Sequence, residues 1–319
     1  AKDSAPALLF NLGYAELADG QSAKAAEHLR EAVRHDPANP RFNYYFAASC
    51  YQENQPNQAR EAIEKSLALE PKNADALLLA AHLDFEEGKL DVAQKRIEET
   101  VRLKPTSVDA LWLQGLVALT NLESDKALKI LQQAHSLKPA DPDIAVSLGQ
   151  AYLMLGRARQ AKDVLLPVVN GAAGTPSALF SLGWAHLLLN EIESAERAFQ
   201  SQLKQDPTDA NAHASLALVR IAQQRVSEAV PLLNMALSLD SECFLAKWLQ
   251  MSQSAKDRPK EEVEASLKRL MEEYHLTPMG FTPRDIMQKL DRSASGQRLI
   301  QKYVRYAKRK MPMQTNRVS

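Results

Sequence analysis

The stretch Ser147-Leu-Gly-Gln-Ala-Tyr-Leu-Met-Leu-Gly-Arg-Ala-Arg-Gln-Ala161 decides the fold, because its last residue sets a ruler for the whole chain. Ala161 has counterparts at Ala25, Ala59, Ala93, Ala127, Ala195 and Ala229, each step being 34 residues. Alanine fills 47 of 319 positions, so six further matches at a fixed period would arise by chance about once in 100,000 trials. The chain is therefore a repeat array, a stack of units that bury their apolar faces on each other, rather than the two globular domains its length would otherwise suggest.

With Pro6 as position 1, units begin at Pro6, Pro40, Ala74, Val108, Pro142, Pro176 and Ala210, without insertion or deletion. Each reads as two amphipathic helices, the first apolar near positions 4, 7, 8 and 11, the second apolar or small at 20, 24 and 27. Gln202, at position 27 of the sixth unit, is the exception. The break falls at position 15, held by Gly20, Asn54, Gly88, Leu122, Gly156, Asn190 and Gln224; glycine and asparagine are the residues that most readily end a helix in the left-handed conformation. Leu122 does not fit, and Asn121 is expected to serve in its place; the seventh unit offers no such residue. Prolines at position 32, Pro37, Pro71, Pro105, Pro139 and Pro207, stop the second helix. Small residues at position 8, Gly13, Gly115, Gly149 and Gly183 among them, are expected to face the alanines of position 20. In the fifth unit Pro167 interrupts the second helix and residues 170–176 replace the terminating proline, which reads either as a shortened helix with a longer loop or as a hinge.

Composition agrees with an all-α chain: 45% hydrophobic residues supply a core, while 11 glycines and 6% aromatics fit leucine- and alanine-rich helices. The 39 basic and 39 acidic residues are unevenly placed, with 15 basic and 8 acidic from Lys256 onward against 24 and 31 before it. Cys50 and Cys243 lie almost six repeats apart, too far for a disulfide in an extended stack, so both are expected as free thiols, which leans towards a reducing compartment. No apolar run approaches the roughly 20 residues of a membrane span, and the chain is expected to be soluble. No targeting pattern precedes the first repeat; a periplasmic or secreted setting follows if Ala1 succeeds a removed signal.

The spacing of Leu148-Gly149, Tyr152, Gly156 and Ala161, and of Leu182-Gly183, Ala195, Phe199 and Pro207, resembles the tetratricopeptide repeat. The resemblance covers about residues 6–241 and implies a right-handed superhelix of helix pairs whose first helices line a concave, partner-binding groove. Residues 1–5 are then an N-terminal remnant, either a processed start or the tail of an earlier repeat, and 6–241 are seven hairpin repeats. Residues 242–277 read as a degenerate eighth repeat that caps the array, and 278–319 as a basic helical tail with a disordered end. In that tail Arg298, Lys302, Arg305, Lys308 and Arg309 surround an apolar face of Leu299, Ile300, Tyr303, Val304 and Ala307. Three uses compete for it: docking on the acidic array, binding an acidic partner, or contacting nucleic acid or an anionic membrane surface.

Chemistry is not signalled. The histidines form no His-x-x-x-His pair, and there is no Cys-x-x-Cys, phosphate loop or nucleophile elbow, so no metal, no cofactor, no small-molecule substrate and no catalysis are expected. What the resemblance implies instead is a groove lined from positions 2, 5, 9 and 12 of the first helices. Here those positions include Phe10, Tyr14, Tyr44, Tyr51, Leu78, His82, Trp112, Leu116, Val146, Gln150, Phe180 and Trp184. Trp112, Phe180 and Trp184 are the expected anchors for a partner's apolar side chains. Phe10 and Tyr14 stand where the family's carboxylate-clamp form has lysine and asparagine, so a clamp on a C-terminal carboxylate is not expected. Asp75, Asp109 and Asp143 recur at position 2, where they favour the helix dipole and, if they face the groove, give it a negative rim. The reading is a non-catalytic scaffold or adaptor that holds a peptide segment of a partner protein; a recognition or regulatory region of a larger enzyme is the competing one, and binding of nucleic acid or an anionic surface through the tail the third.

Overall fold

A computed structural model describes residues 5–171 and 174–254. Among them lie fifteen α-helices and no strand: α1 (Ala5–Ala18), α2 (Ser22–His35), α3 (Pro40–Gln52), α4 (Pro56–Leu69), α5 (Ala74–Glu86), α6 (Leu90–Leu103), α7 (Val108–Thr120), α8 (Ser124–Leu137), α9 (Pro142–Met154), α10 (Ala158–Asn170), α11 (Pro176–Leu188), α12 (Ile192–Gln205), α13 (Ala210–Ala222), α14 (Val226–Leu239) and α15 (Phe244–Ser254). The fold is an all-α array of helical hairpins. It divides into two compact units, Ala1–Val117 and Ala118–Ser319. The expected cap beyond residue 254, and the basic tail with Arg298, Lys302, Arg305, Lys308 and Arg309, lie outside the described residues.

All seven turns within hairpins close in one way. Position 15 is left-handed in each, with φ between 54° at Asn54 and 75° at Gly20. Its N–H bonds the carbonyl three residues back, as Gly156 does to Leu153 at 2.9 Å, and the next N–H reaches five residues back, as Arg157 does to Tyr152 at 2.8 Å. This is the Schellman closure, which satisfies carbonyls that the helix end would otherwise leave bare. Leu122 (φ 60°) and Gln224 (φ 66°) adopt it too, so the expectation that Asn121 takes over in the fourth unit is corrected. Closing the turn in register outweighs a left-handed cost of about 1–2 kcal/mol for a residue with a Cβ.

Turns between hairpins rely on side chains. The residue just before the first helix is Asn39, Asn73, Asp141, Thr175 or Asp209, and its side-chain oxygen accepts backbone N–H groups of the helix it opens. Ahead of each position-32 proline the backbone leaves the helical region, as at Asp36 (φ −140°, ψ 80°), and the second helix stops there. The fifth unit departs less than expected, because α10 continues through Pro167 to Asn170 and is 13 residues long against 14 for α12. Gln202 is buried with its amide donating to the capping carboxylate of Asp209 at 2.6 Å, so a polar residue at position 27 braces the next helix.

Within hairpins the helices cross closely. The position-20 alanines, Ala25 to Ala229, are fully buried, but the position-8 glycines chiefly meet position 24 rather than those alanines. A Cβ on Gly149 would lie 2.7 Å from Cγ of Leu165, and one on Gly183 would lie 2.5 Å from the ring of Phe199. Where position 24 is Ile63 or Ile97, position 8 is instead Ala47 or Ala81, and each alanine shares a core cluster with its isoleucine. Between hairpins, Ala76, Leu79, Ala80 and Leu83 of α5 pack on Ala47, Cys50, Ala59, Ala62 and Ile63 of the hairpin before.

Charge pairs lock neighbouring hairpins. Position 11 of α5 is Asp84, buried, with Arg60 Nη1 at 2.8 Å and Arg96 Nη1 at 3.1 Å. The two guanidinium groups also reach Glu87 at 3.0 Å and Glu64 at 2.7 Å. Burial pushes the Asp84 carboxyl above its usual range, and Arg96 and Arg60 only partly offset this. In the second unit, position 11 of α13 is Arg220, paired with Glu196 at 2.5 Å.

Leu122→Gly is expected to stabilise the chain by roughly 0.5–1 kcal/mol, once glycine's larger unfolded-state entropy is subtracted, read as a higher denaturation midpoint. Gly149→Ala is expected to destabilise by about 1–3 kcal/mol, and Leu165→Ile in the same chain to recover part of that loss; a double-mutant cycle measures the coupling. Asp84→Ala strands two arginines that are each a fifth exposed and keep Glu64 and Glu87. The expected loss is therefore about 2–3 kcal/mol by chemical denaturation, below the ~3–5 kcal/mol of a fully buried pair.

Candidate functional site

In the first unit, first helices bring three of the expected groove residues into one row. Tyr51 of α3, His82 of α5 and Trp112 of α7 stand at positions 12, 9 and 5, so each step along the array moves about one helical turn towards the N-terminus of the next helix. Ring centroids are 6.3 Å apart between Tyr51 and His82 and 6.2 Å between His82 and Trp112. All three are half-buried. Leu78 and Leu116, also half-buried, pack on the cluster of Ala81, Ala93, Ile97, Leu113 and Val117 beneath the row.

Charge around the row is negative. The Tyr51 hydroxyl donates to Glu86 Oε1, and burial followed by that bond pushes its pKa well above the usual phenol range. Burial pulls His82 below the ordinary imidazole value, although Glu86 and Asp109 act the other way, so the ring is mainly neutral at pH 7. Asp75 is held by Lys104 Nζ at 2.7 Å and is no unpaired rim charge.

A second aromatic cluster lies on α1 and α3. Tyr14 meets Tyr45 edge-on at 5.0 Å, Tyr45 meets Tyr44 at 4.9 Å, and the Arg41 guanidinium lies 4.8 Å from the centre of the Phe10 ring. Tyr14 is 44% exposed, whereas Phe10 is buried against Phe42 and belongs to the core. The Tyr44 hydroxyl is pushed up to about 12, first by burial and then by Asp75 and Tyr45.

Three of the four residues expected in the second unit are buried. Trp184 is fully buried, Phe180 and Val146 nearly so, and Gln150 is half-buried. Gly183, lacking a side chain, lets the Phe199 ring lean onto α11; Phe180 packs edge-on to it at 6.2 Å and to Trp184 at 6.4 Å. Phe180 and Trp184 are therefore core residues rather than exposed anchors. A feature without a sequence signal is a cleft of about 520 Å³ lined by His135, Pro139, Pro142, Asp163, Pro167 and their neighbours.

Among the described residues no group of three or more His, Cys, Asp or Glu is placed to hold a metal ion, and no helix is long and apolar enough to cross a membrane. Cys50 and Cys243 are free and buried, and burial raises both thiols to about 11, which keeps them protonated and unreactive at neutral pH.

A family model described as tetratricopeptide repeat matches residues 16–65, 51–118 and 123–183, and a second of the same description matches 180–242. No curated protein matches the chain by sequence. Among solved structures the chain is similar to one in the APC/C hetero-tetramer Cut9–Hcn1, at 20% identity with a TM-score of 0.65 over 84% of this chain and 49% of that one. It is also similar to pilF of Pseudomonas aeruginosa, at 20% identity and a TM-score of 0.56, with 65% of this chain and 94% of that one covered. A tetratricopeptide repeat protein from Parabacteroides merdae gives 15% identity and a TM-score of 0.56, covering 84% and 99%. At such identities the likeness is one of fold. Matching models from residue 16 to 242, together with the hairpin architecture shared with those structures, show that the chain belongs to the tetratricopeptide repeat family.

Proposed function

We propose that the chain is a non-catalytic interaction scaffold that holds a segment of a partner protein along the row Tyr51, His82 and Trp112. Proteins of this family generally mediate protein–protein interaction, and their fold is typically a scaffold rather than a catalyst. The observation that carries the finer reading is the continuity of three half-buried rings across three successive first helices, flanked by Glu86 and Asp109. Half-buried rings offer apolar area already fixed in place, so little side-chain entropy is lost when a ligand covers them. The flanking carboxylates favour a segment with an apolar or aromatic anchor beside a lysine or arginine. Tyr44, Leu78 and Leu116 extend the surface along the same helices, and Tyr14 of α1 adjoins Tyr44 through Tyr45.

Peptides selected for binding to the intact chain by display are expected to carry that pattern. Tyr51→Ala and Trp112→Ala are each expected to weaken the selected peptides by about 2 kcal/mol, roughly 30-fold, in calorimetric titration, while the half-buried rings cost only about 1–2 kcal/mol of stability. Trp184→Ala is expected to do the reverse, lowering stability by about 3–5 kcal/mol. Peptides that bind the Tyr51 and Trp112 variants as tightly as the parent chain would place the binding surface elsewhere.

A further inference from the structure

No motif announces the cleft of the second unit, but three departures from the repeat meet in it. Position 28 is Val33, Leu67, Val101, Val169, Leu203 and Leu237 in six units, and His135 in the fourth. Position 26 is a proline only in the fifth, at Pro167. Position 27 is buried in six units, as at Ala134 and Gln202, whereas Val168 is half-buried. His135, Pro167 and Val168 all line the cleft of about 520 Å³ between α8, the start of α9 and α10.

The departures share a chemical result. His135 puts an imidazole where the other units have an aliphatic side chain, and its Nδ1 is buried without a hydrogen-bond partner, which is costly to leave unmet. Pro167 has no N–H, so the Asp163 carbonyl lacks the donor that a helix supplies four residues on. The Asp163 carboxylate, exposed on the same wall, has no ion-pair partner among the described residues. Carboxylate, carbonyl and imidazole nitrogen can all accept, and the rest of the lining is proline, alanine, valine and glycine. A few polar groups in apolar walls around a volume of this size make a ligand site. Several acceptors against apolar walls call for several donors on one apolar stem. Arginine meets that demand, since its planar fork carries five N–H donors, spans a carboxylate and lies flat on other planar groups.

We propose that the cleft binds the guanidinium of an arginine carried by a partner protein. Its N–H groups donate to the Asp163 carboxylate and carbonyl and to His135, and its stem lies on Pro139, Pro142 and Val164. This site does not depend on the row Tyr51, His82 and Trp112. The chain's own C-terminal segment is the poorer source of the arginine. Residues 292–319 have 8 basic and no acidic residues, and Arg159, exposed and without an ion pair among the described residues, stands one turn before Asp163. That cation repels a run of like charge more than a single arginine among neutral residues.

The test titrates N-acetylarginine amide into the full chain and follows methyl and imidazole NMR signals. Saturating shifts of Val164, Val168 and His135 are expected, with a Kd on the order of millimolar for so small a probe. The neutral citrulline isostere and the lysine counterpart are each expected to bind at least about tenfold more weakly. Asp163→Asn is expected to weaken the arginine probe at least about tenfold while holding the thermal midpoint within about 1 °C. His135→Leu, which restores the aliphatic of the other units, is expected to weaken the probe about threefold or more and to raise the midpoint by roughly 2–4 °C. Absence of saturating shifts at these signals, or equal binding of the citrulline or lysine probe, overturns the assignment. A His135→Leu chain that keeps its affinity and loses stability overturns it too, since the histidine would then be a packing residue. Cutting the chain after Asp291 is expected to leave the affinity unchanged. A gain of about tenfold or more on that cut would give the cleft to the chain's own tail and overturn the assignment to a partner.

Discussion

Seven backbone torsions of one sign carry this array. Each left-handed residue at position 15 reverses the chain within a few residues and points the second helix back along the first at a fixed crossing. Two backbone hydrogen bonds hold the reversal, so it depends little on which side chain occupies the site. Leucine and glutamine are accepted there because opening the turn would misplace the whole crossing beneath it. That crossing is tight enough for one side chain to occupy the space of a missing Cβ, which makes the glycine of one helix and the leucine or phenylalanine of the other a single packing choice.

With the hairpins fixed, what remains variable is the face that first helices turn outward and the polar residues set between neighbours. In the first unit that variability yields a ladder of rings at successive turns, half-buried and bordered by carboxylates. In the second, Phe180 and Trp184 at these register positions lie in the core, where Phe180 packs edge-on to Phe199 of the second helix and to Trp184. One repeat pattern thus gives two different surfaces, and the difference originates in buried neighbours.

The period, the helix pairs and the proline stops were legible in the sequence because each is a local signal repeated seven times. The left-handed turns at Leu122 and Gln224 were not, since propensity argues against them and only closure of the hairpin requires them. Asn39, Asn73, Ser107, Asp141, Thr175 and Asp209 share the capping position, so six of the helix starts are written almost as regularly as the alanines. For the candidate site, Tyr51, His82 and Trp112 stand at positions that the family resemblance implies line a groove, and their rings lie side by side. Phe180 and Trp184 are buried instead, because register states the direction a residue points but not what stands in front of it. The cleft around Pro139 and Pro167 is lined by the end of α8, the start of α9 and the second half of α10, and no single repeat position marks it.

The charge locks at position 11 have a consequence for how such an array can change over time. In the first unit the partner contributed by the preceding hairpin is cationic and the receiver anionic, Arg60 to Asp84; in the second the order is inverted, Glu196 to Arg220. Hairpins that look interchangeable by their alanines and glycines are thus keyed by sign: a duplication or shuffle that set the α13 hairpin behind α4 would bury Arg220 against Arg60. Like charges in that part-buried setting repel with less solvent to screen them than at the open surface. At these two joints the order of repeats is held by polarity, much as a keyed connector accepts its partner in one orientation only.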